Sequence, residues 1–520
     1  MRIVFLGLLL LISQFAVPAL VHSAPLPPAP PIPAAASVNA RTYGSISAAI
    51  SAAHGKTLVI SDLQKLSGDL VIPSDVSLSI AKGGAIVNPA KYTVTIAGPF
   101  TAGLYKVFEG FRQGDIHFID GSVKEVSPQW WGENSAASIN KAINAFPKVF
   151  CPPGLYLIES EVLLNSNTHL RGVRGKTVFQ RPRGVRYTGK NIAGVTYADP
   201  FMIGFYTYGS GNYSARTNVT VEGITVDGNS YNSTDSGRMA GIYLHSGSHL
   251  SVIDCEVKNL GRTADFVLSI GIAFSWVKDG VIKKCQSHDN SGDGINVFAF
   301  NQDVVVTENE TYRNGVAGIE VEGRLGTSYN LPRNKRIVVA RNYTHDNAGV
   351  PWGAGGSYGH GILVTWSDDV VVSDNVVSAN TIWIGAITVM GSTNIVIRNN
   401  SITGNLSASP VDPTGYGIGI FAQYDVYGDN GVNRNINIAN NSILNNRNGI
   451  FVRDAQDVSI VGNTIEGMAT KSDGIIYEKG AVGKKLEVKG NVVKVRPGSS
   501  TIGIKGTRED VTITNNTFPD

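Results

Sequence analysis

Asp293, Glu320, Glu322 and His360 occupy related places in a recurring pattern, and together they could transfer protons. Asp293 precedes the glycine of SGDGINV, Glu320 and Glu322 alternate in GIEVE, and His360 precedes the glycine of YGHGILV. Carboxyl groups held close together titrate apart, because the first negative charge opposes the second. One then remains a general acid while another, ionised, activates a water molecule. On an extended strand, residues i and i+2 project to one side about 6.8 Å apart. Glu320 and Glu322 therefore meet the ~6.5–9.5 Å separation at which a carboxyl pair admits the water of an inverting glycoside hydrolysis. An elimination beside a uronate carboxylate would instead use a basic group and a cation, supplied by Arg324 or Arg453, or by Ca²⁺ on the acids.

Each residue also has a plainer role. Asp before Gly recurs at Asp473-Gly474, as turn residues do. His360 could be a corner histidine with a satisfied hydrogen bond. Two glutamates side by side on a strand want a positive partner, for which Arg313 and Arg324 are placed. Around the four lie the candidates for holding a substrate: Asn296, Arg324, Trp352, Tyr358 and Trp366. Insertions at 323–335 and 346–359 leave from the same place, and aromatic faces there would suit sugar C–H surfaces.

The elements that must position these groups are repeats. A Val/Ile-rich run ends in Asn at 309, 342, 375, 400, 441, 463, 491 and 516, and Cys255, Cys285 and Gly223 fill that place in earlier units. A short run follows, then Gly-Ile-x-apolar, as at 241–244, 271–274, 294–297, 318–321 and 361–364. Spacings fall between 22 and 41 residues. The lower limit is one coil of short strands; the excess is loop, which a solenoid tolerates because each coil touches only its neighbours. Alternation sends the Ile and the second apolar residue inward and leaves x and x+2 outward. The recurring Asn is expected at a corner, in left-handed geometry, with stacked amides bonded along the axis. Cys in that column reads as a small buried thiol, although coils ~4.8 Å apart would also permit a Cys255–Cys285 bridge.

Composition narrows the class. With 44 Lys and Arg against 41 Asp and Glu, the net charge of +3 is no nucleic-acid footprint. Arg2, the apolar run 3–12 and the small-residue site at Val21-His22-Ser23 form a signal peptide over 1–23. No second such run follows, so no membrane span is expected. A Pro/Ala-rich linker (24–38), a β-rich head (39–128) and the coil body (129–520) follow.

The stretches PQWWG at 128–132, SAASINKAI at 135–143 and VFCPPGLY at 149–156 carry a resemblance to the pectate-lyase-like superfamily of right-handed parallel β-helix proteins. Strand runs at 70–72 and 76–80 are similar to the head modules of tailspikes. The resemblance implies an all-β, right-handed parallel β-helix solenoid with an N-terminal capping helix and a small β-rich head. YGHGI at 358–362 resembles the Gly-His-Gly motif of polygalacturonases, and NSGDGI at 290–295 is loosely similar to their Asn-Thr-Asp motif. That implies Asp293 and His360 at the catalytic site, although Ala317-Gly318 stands where a paired Asp is expected and no Arg-Ile-Lys follows. The expected function is an exported carbohydrate-active protein cleaving a polysaccharide, as hydrolase or lyase, in a groove along the helix. A non-catalytic glycan-binding adhesin or surface spike, or a uronate epimerase, is the alternative. No cofactor is required for hydrolysis; Ca²⁺ would serve a lyase. The oligomeric state, monomer or trimer, stays open.

Overall fold

The structure, a computed structural model, describes residues 36–519 except 186–199, 207–214, 231–238, 262–268, 324–332, 348–350, 353–355, 358, 383–384, 408–415, 422–432, 454, 467–472, 479–484, 496–498 and 506–510. The proposed signal peptide, and the linker up to residue 35, lie outside these residues. Among the described residues no helix is long and apolar enough to cross a membrane.

The β-rich segment at 37–118 winds as coils of its own. Three all-parallel sheets run through it, one of them built from Ser37–Asn39, Thr57–Ile60, Ser77–Ile80 and Phe100–Ala102. Alternation drives this: Leu58, Ile60, Leu78 and Ile80 are buried while the residues between them are not. The helix Ile46–Ala52, capped by Ser45 accepting from the Ala48 N–H at 3.2 Å, packs near the first strand. At the far end Trp130 and Trp131 pack on Phe100 and Phe108, at 4.8 and 5.2 Å between ring centres. The helix Ala136–Ala145 buries Ala136, Ile139, Ala142 and Ile143 at helical spacing, against Ile116–Phe118 on one side and Lys148–Phe150 on the other. A parallel bridge from Val126 to Val149 carries the chain into the body, so one apolar core runs from Val38 to Val493.

Each described body coil has three strand positions, the first two merging into one strand at Ala240–Ile253 and Ile270–Lys283. In one coil Ile295–Phe298, Gln302–Thr307 and Glu310–Tyr312 follow in turn, and the next coil begins at Ala317–Glu322. The first two strand positions belong to a 23-stranded parallel sheet, the third to a 12-stranded one. Ile295, Val297, Val304, Val306 and Thr311 point inward and are fully buried.

The asparagines do bond along the axis. Each Nδ2 donates to the next Oδ1, from Asn309 to Asn342, 375, 400, 441, 463, 491 and 516, at 2.9–3.0 Å. The left-handed residue, however, is the one before: Glu308, Arg341, Asp374, Asn399 and Asn440 have φ of 54–58°. That residue turns the chain and faces water, freeing the Asn to point inward. The same offset corrects the first repeat. Thr225 pairs with Glu256, so Ile224 stacks on Cys255, and Gly223, with φ 65°, is the turning residue. The thiols are free and buried. Cys285 Sγ donates to the Val252 carbonyl at 3.5 Å, the bond Asn309 Nδ2 makes to Ile282 at 3.0 Å one coil later. A second ladder stands five residues on, from Asn290 through Asn314, Asn347, Asn380 and Asn405 to Asn446.

Candidate functional site

The register brings the acids together on the outward side of the first strand position. One outward column reads Tyr243, Ala273, Asn296, Glu320, Leu363, Thr388. The next reads Phe298, Glu322, Thr365, Met390. Asp293 stands just before the strand Ile295–Phe298. Its carboxylate accepts the Ala317 backbone N–H at 3.1 Å and the Asn296 Nδ2 at 2.9 Å.

Asn296 is the hub of the cluster. The same Nδ2 lies 3.5 Å from Glu320 Oε2 and 3.4 Å from Glu322 Oε2. Those two oxygens are thus no more than about 7 Å apart, a range that spans both retaining and inverting carboxyl separations. Asn296 is 1 % exposed, Asp293 6 % and Glu320 8 %, whereas Glu322 is half-buried. Burial is the main cause holding the Glu320 carboxyl protonated well above the usual carboxylate range. The negative charges of Asp293 and Glu322, and a hydrogen bond to Asp293, add to it. Glu320 therefore holds its proton more tightly than an ordinary carboxyl group, beside a carboxylate already supplied with N–H donors.

His360 pairs in register with Ala317 and so stands two coils beyond Asp293, and its contacts point onward. Its Nδ1 lies 3.2 Å from the Gly385 carbonyl and 3.1 Å from Thr388 Oγ1, and the Thr388 hydroxyl itself donates to Gly385. Two such acceptors call for the proton on Nδ1. Burial pushes the imidazole down to about 4, so it is neutral at pH 7. The ring is held as a corner histidine by the following coil, not by the three acids.

Arg313 does not reach Glu320 or Glu322. It pairs with Asp289 through two bonds of 2.6–2.7 Å and lies over the Tyr312 ring, on the 12-stranded sheet. Trp366 turns the corner after His360–Thr365 and packs against Gly391, where an added Cβ would come within 2.6 Å of its ring. Trp352 belongs to a short antiparallel pair, 351–352 with 356–357. Arg324 and Tyr358 lie outside the described residues.

One group on this face has no counterpart among the sequence candidates. Tyr206 packs at a tilt on His245, 4.3 Å between ring centres, with Tyr243 and Phe201 packed beside them. Tyr243 is the outward residue of GIYL, so the alternation rule points to it once the column is followed back from Asn296.

Two family models match the chain. One, described as a right handed beta helix region, spans residues 154–334; the other, described as periplasmic copper-binding protein (NosD), spans 331–520. Copper does not fit the described residues. The thiols sit inside the core, and the stacked ring of Tyr312 separates His288 from His345. Among the described residues no group of three His, Cys, Asp or Glu side chains is placed to hold a metal, and the acid cluster is closed around an amide nitrogen.

No curated protein matches the chain. Among solved structures, the A-module of the Azotobacter vinelandii mannuronan C-5 epimerase AlgE6 is 17% identical with a TM-score of 0.51, covering 76% of this chain and 100% of its own. The AlgE4 A-module of the same organism is also 17% identical, covering 74% and 99% at a TM-score of 0.48. PfbA, a surface adhesin of Streptococcus pneumoniae, is 14% identical, covering 76% and 90% at 0.43. Coil register, the match over 154–334 and the likeness to the AlgE6 module together make the chain a right-handed parallel β-helix protein.

Proposed function

We propose that this protein is exported and hydrolyses a polysaccharide laid along the outward face of the 23-stranded sheet. Glu320 is the proton donor to the departing sugar oxygen; Glu322, with Asp293 beside it, is the carboxylate that activates water or meets the sugar. One observation carries this reading: Glu320 is buried beside two further carboxyl groups around the Asn296 amide, which raises its hold on a proton, while Asp293 receives two N–H donors. Carboxyl groups whose surroundings push their titration apart are the arrangement that acid–base cleavage of a glycosidic bond requires. A polysaccharide fits the shape of the site, since successive coils offer a new pair of outward residues every ~4.8 Å. Export is supported by the sequence of residues 1–23, which reads as a leader.

The test is a panel of neutral and acidic polysaccharides, assayed for new reducing ends and for unsaturated uronates, with wild type and Glu320→Gln. Hydrolysis predicts reducing ends without unsaturation, and a loss of roughly 10²–10⁴-fold in the variant. Wild-type rates in Glu320→Gln would sink the assignment. Unsaturated products would replace it with elimination, and binding without turnover would make the protein an adhesin or spike.

A further inference from the structure

Resting on that reading, we infer that the sugar held at the carboxyl cluster is uncharged, so that the substrate is a neutral glycan and not a polyuronate.

The argument begins with the two outward columns. From Tyr243 to Thr388 the first carries one acid and no Lys or Arg; from Phe298 to Met390 the second also carries one acid and no Lys or Arg. Asp293 adds a third carboxyl group, within reach of the same Asn296 nitrogen. A polymer lying along the axis meets these residues in succession. A polyuronate would bring one negative charge per sugar against Glu322 and Asp293, in a place dry enough to leave Glu320 only 8 % exposed. Like charges a few ångströms apart in such surroundings, where water screens them poorly, repel far more strongly than in bulk solvent. A neutral ring has no such cost.

The lining on either side favours the same ligand. Leu363 and Met390 form an apolar cluster with Ala317 on the coils that follow Glu320. Tyr243, Ala273 and Phe201 form another on the coils before it. These apolar side chains are themselves 0–9 % exposed; the edges they present suit the C–H faces of sugar rings, while the acids between them take hydroxyl groups as hydrogen-bond donors. The known activity named for the AlgE6 module concerns mannuronan; the outward columns here are built for a ligand without that charge.

The experiment compares polygalacturonate and polymannuronate with glucan, xylan and mannan, by affinity electrophoresis and by release of reducing ends at low and high salt. Wild type should retard and cleave a neutral polymer, with polyuronate retardation at least tenfold weaker and strengthening as salt screens the repulsion. In Glu322→Gln, polyuronate binding should rise at least tenfold while neutral binding changes less. Preferential binding of a polyuronate by wild type, or its weakening by salt, overturns the inference, as does binding of neither class. Neutral binding without cleavage would remove the hydrolytic reading and leave the substrate class standing.

Discussion

Replacing Asn375 by alanine tests what holds the coils together. Asn375 is 1 % exposed. Its Nδ2 donates to the Val339 carbonyl at 2.9 Å and to Asn400 Oδ1 at 3.0 Å, and its Oδ1 accepts from the Asn342 backbone N–H and Nδ2 at 2.9 and 3.0 Å. Alanine removes these four bonds and strands the partners away from water. At about 1 kcal/mol net per bond, more where a buried partner is left unsatisfied, the loss is about 4 kcal/mol. Cysteine should cost about 3 kcal/mol, because a thiol keeps one of the four bonds, that to the preceding carbonyl, as Cys285 does toward Val252. The assay is urea unfolding followed by far-UV circular dichroism and tryptophan fluorescence on wild type, Asn375→Ala and Asn375→Cys. An alanine cost below about 1 kcal/mol, or equal costs for the two variants, would refute the reasoning that the amide ladder, and not apolar stacking alone, sets coil stability.

Two further expectations concern titration. Glu256 accepts from Lys258 at 2.7 Å, Thr225 at 3.0 Å and His288 at 3.2 Å; His288 above all pulls its carboxyl down to about 2. A depressed folded pKa contributes stability that is present above the unfolded value near 4.5 and lost as pH falls toward 2. Glu256→Gln should flatten the fall of Tm across that window, and an unchanged slope would show that other carboxylates govern acid unfolding. Asn296→Leu removes the nitrogen shared by the three acids, so kcat/KM should fall at least tenfold and the acidic limb of its pH profile should move upward. An unaltered profile would mean that Asn296 neither holds nor tunes them.

Particular residues show how far the pattern could be read. The eight asparagines of the first ladder were legible because a stacked amide needs one residue type at one place in every coil. The second ladder repeats five residues later, yet it falls in turns and loop starts such as HDNSG and HDNAG, where Asn is common for local reasons. The one-residue shift from Gly223 to Ile224 has a similar origin: corner geometry belongs to two adjacent residues, the turning one and the inward one. A glycine marks the first, an asparagine the second. The coiled form of residues 37–118 was hidden because strands of two to four residues carry too little alternation to show which neighbours they pair with.

The sequence by itself determined the repeat, the inward and outward sides of each strand, and hence that Asn296, Glu320 and Glu322 share a face. Those are local properties, set by a two-residue period and by one amide per coil. Only the tertiary structure decided which side chains touch. It drew Asp293, Glu320 and Glu322 around the Asn296 amide, turned His360 to the next coil, and gave Arg313 to Asp289 on the other sheet. Contact between residues 24 or more apart depends on how the coils stack and on how deeply each group is buried. Burial is also the main cause that raises the Glu320 carboxyl above the usual range, and no spacing in the chain expresses it.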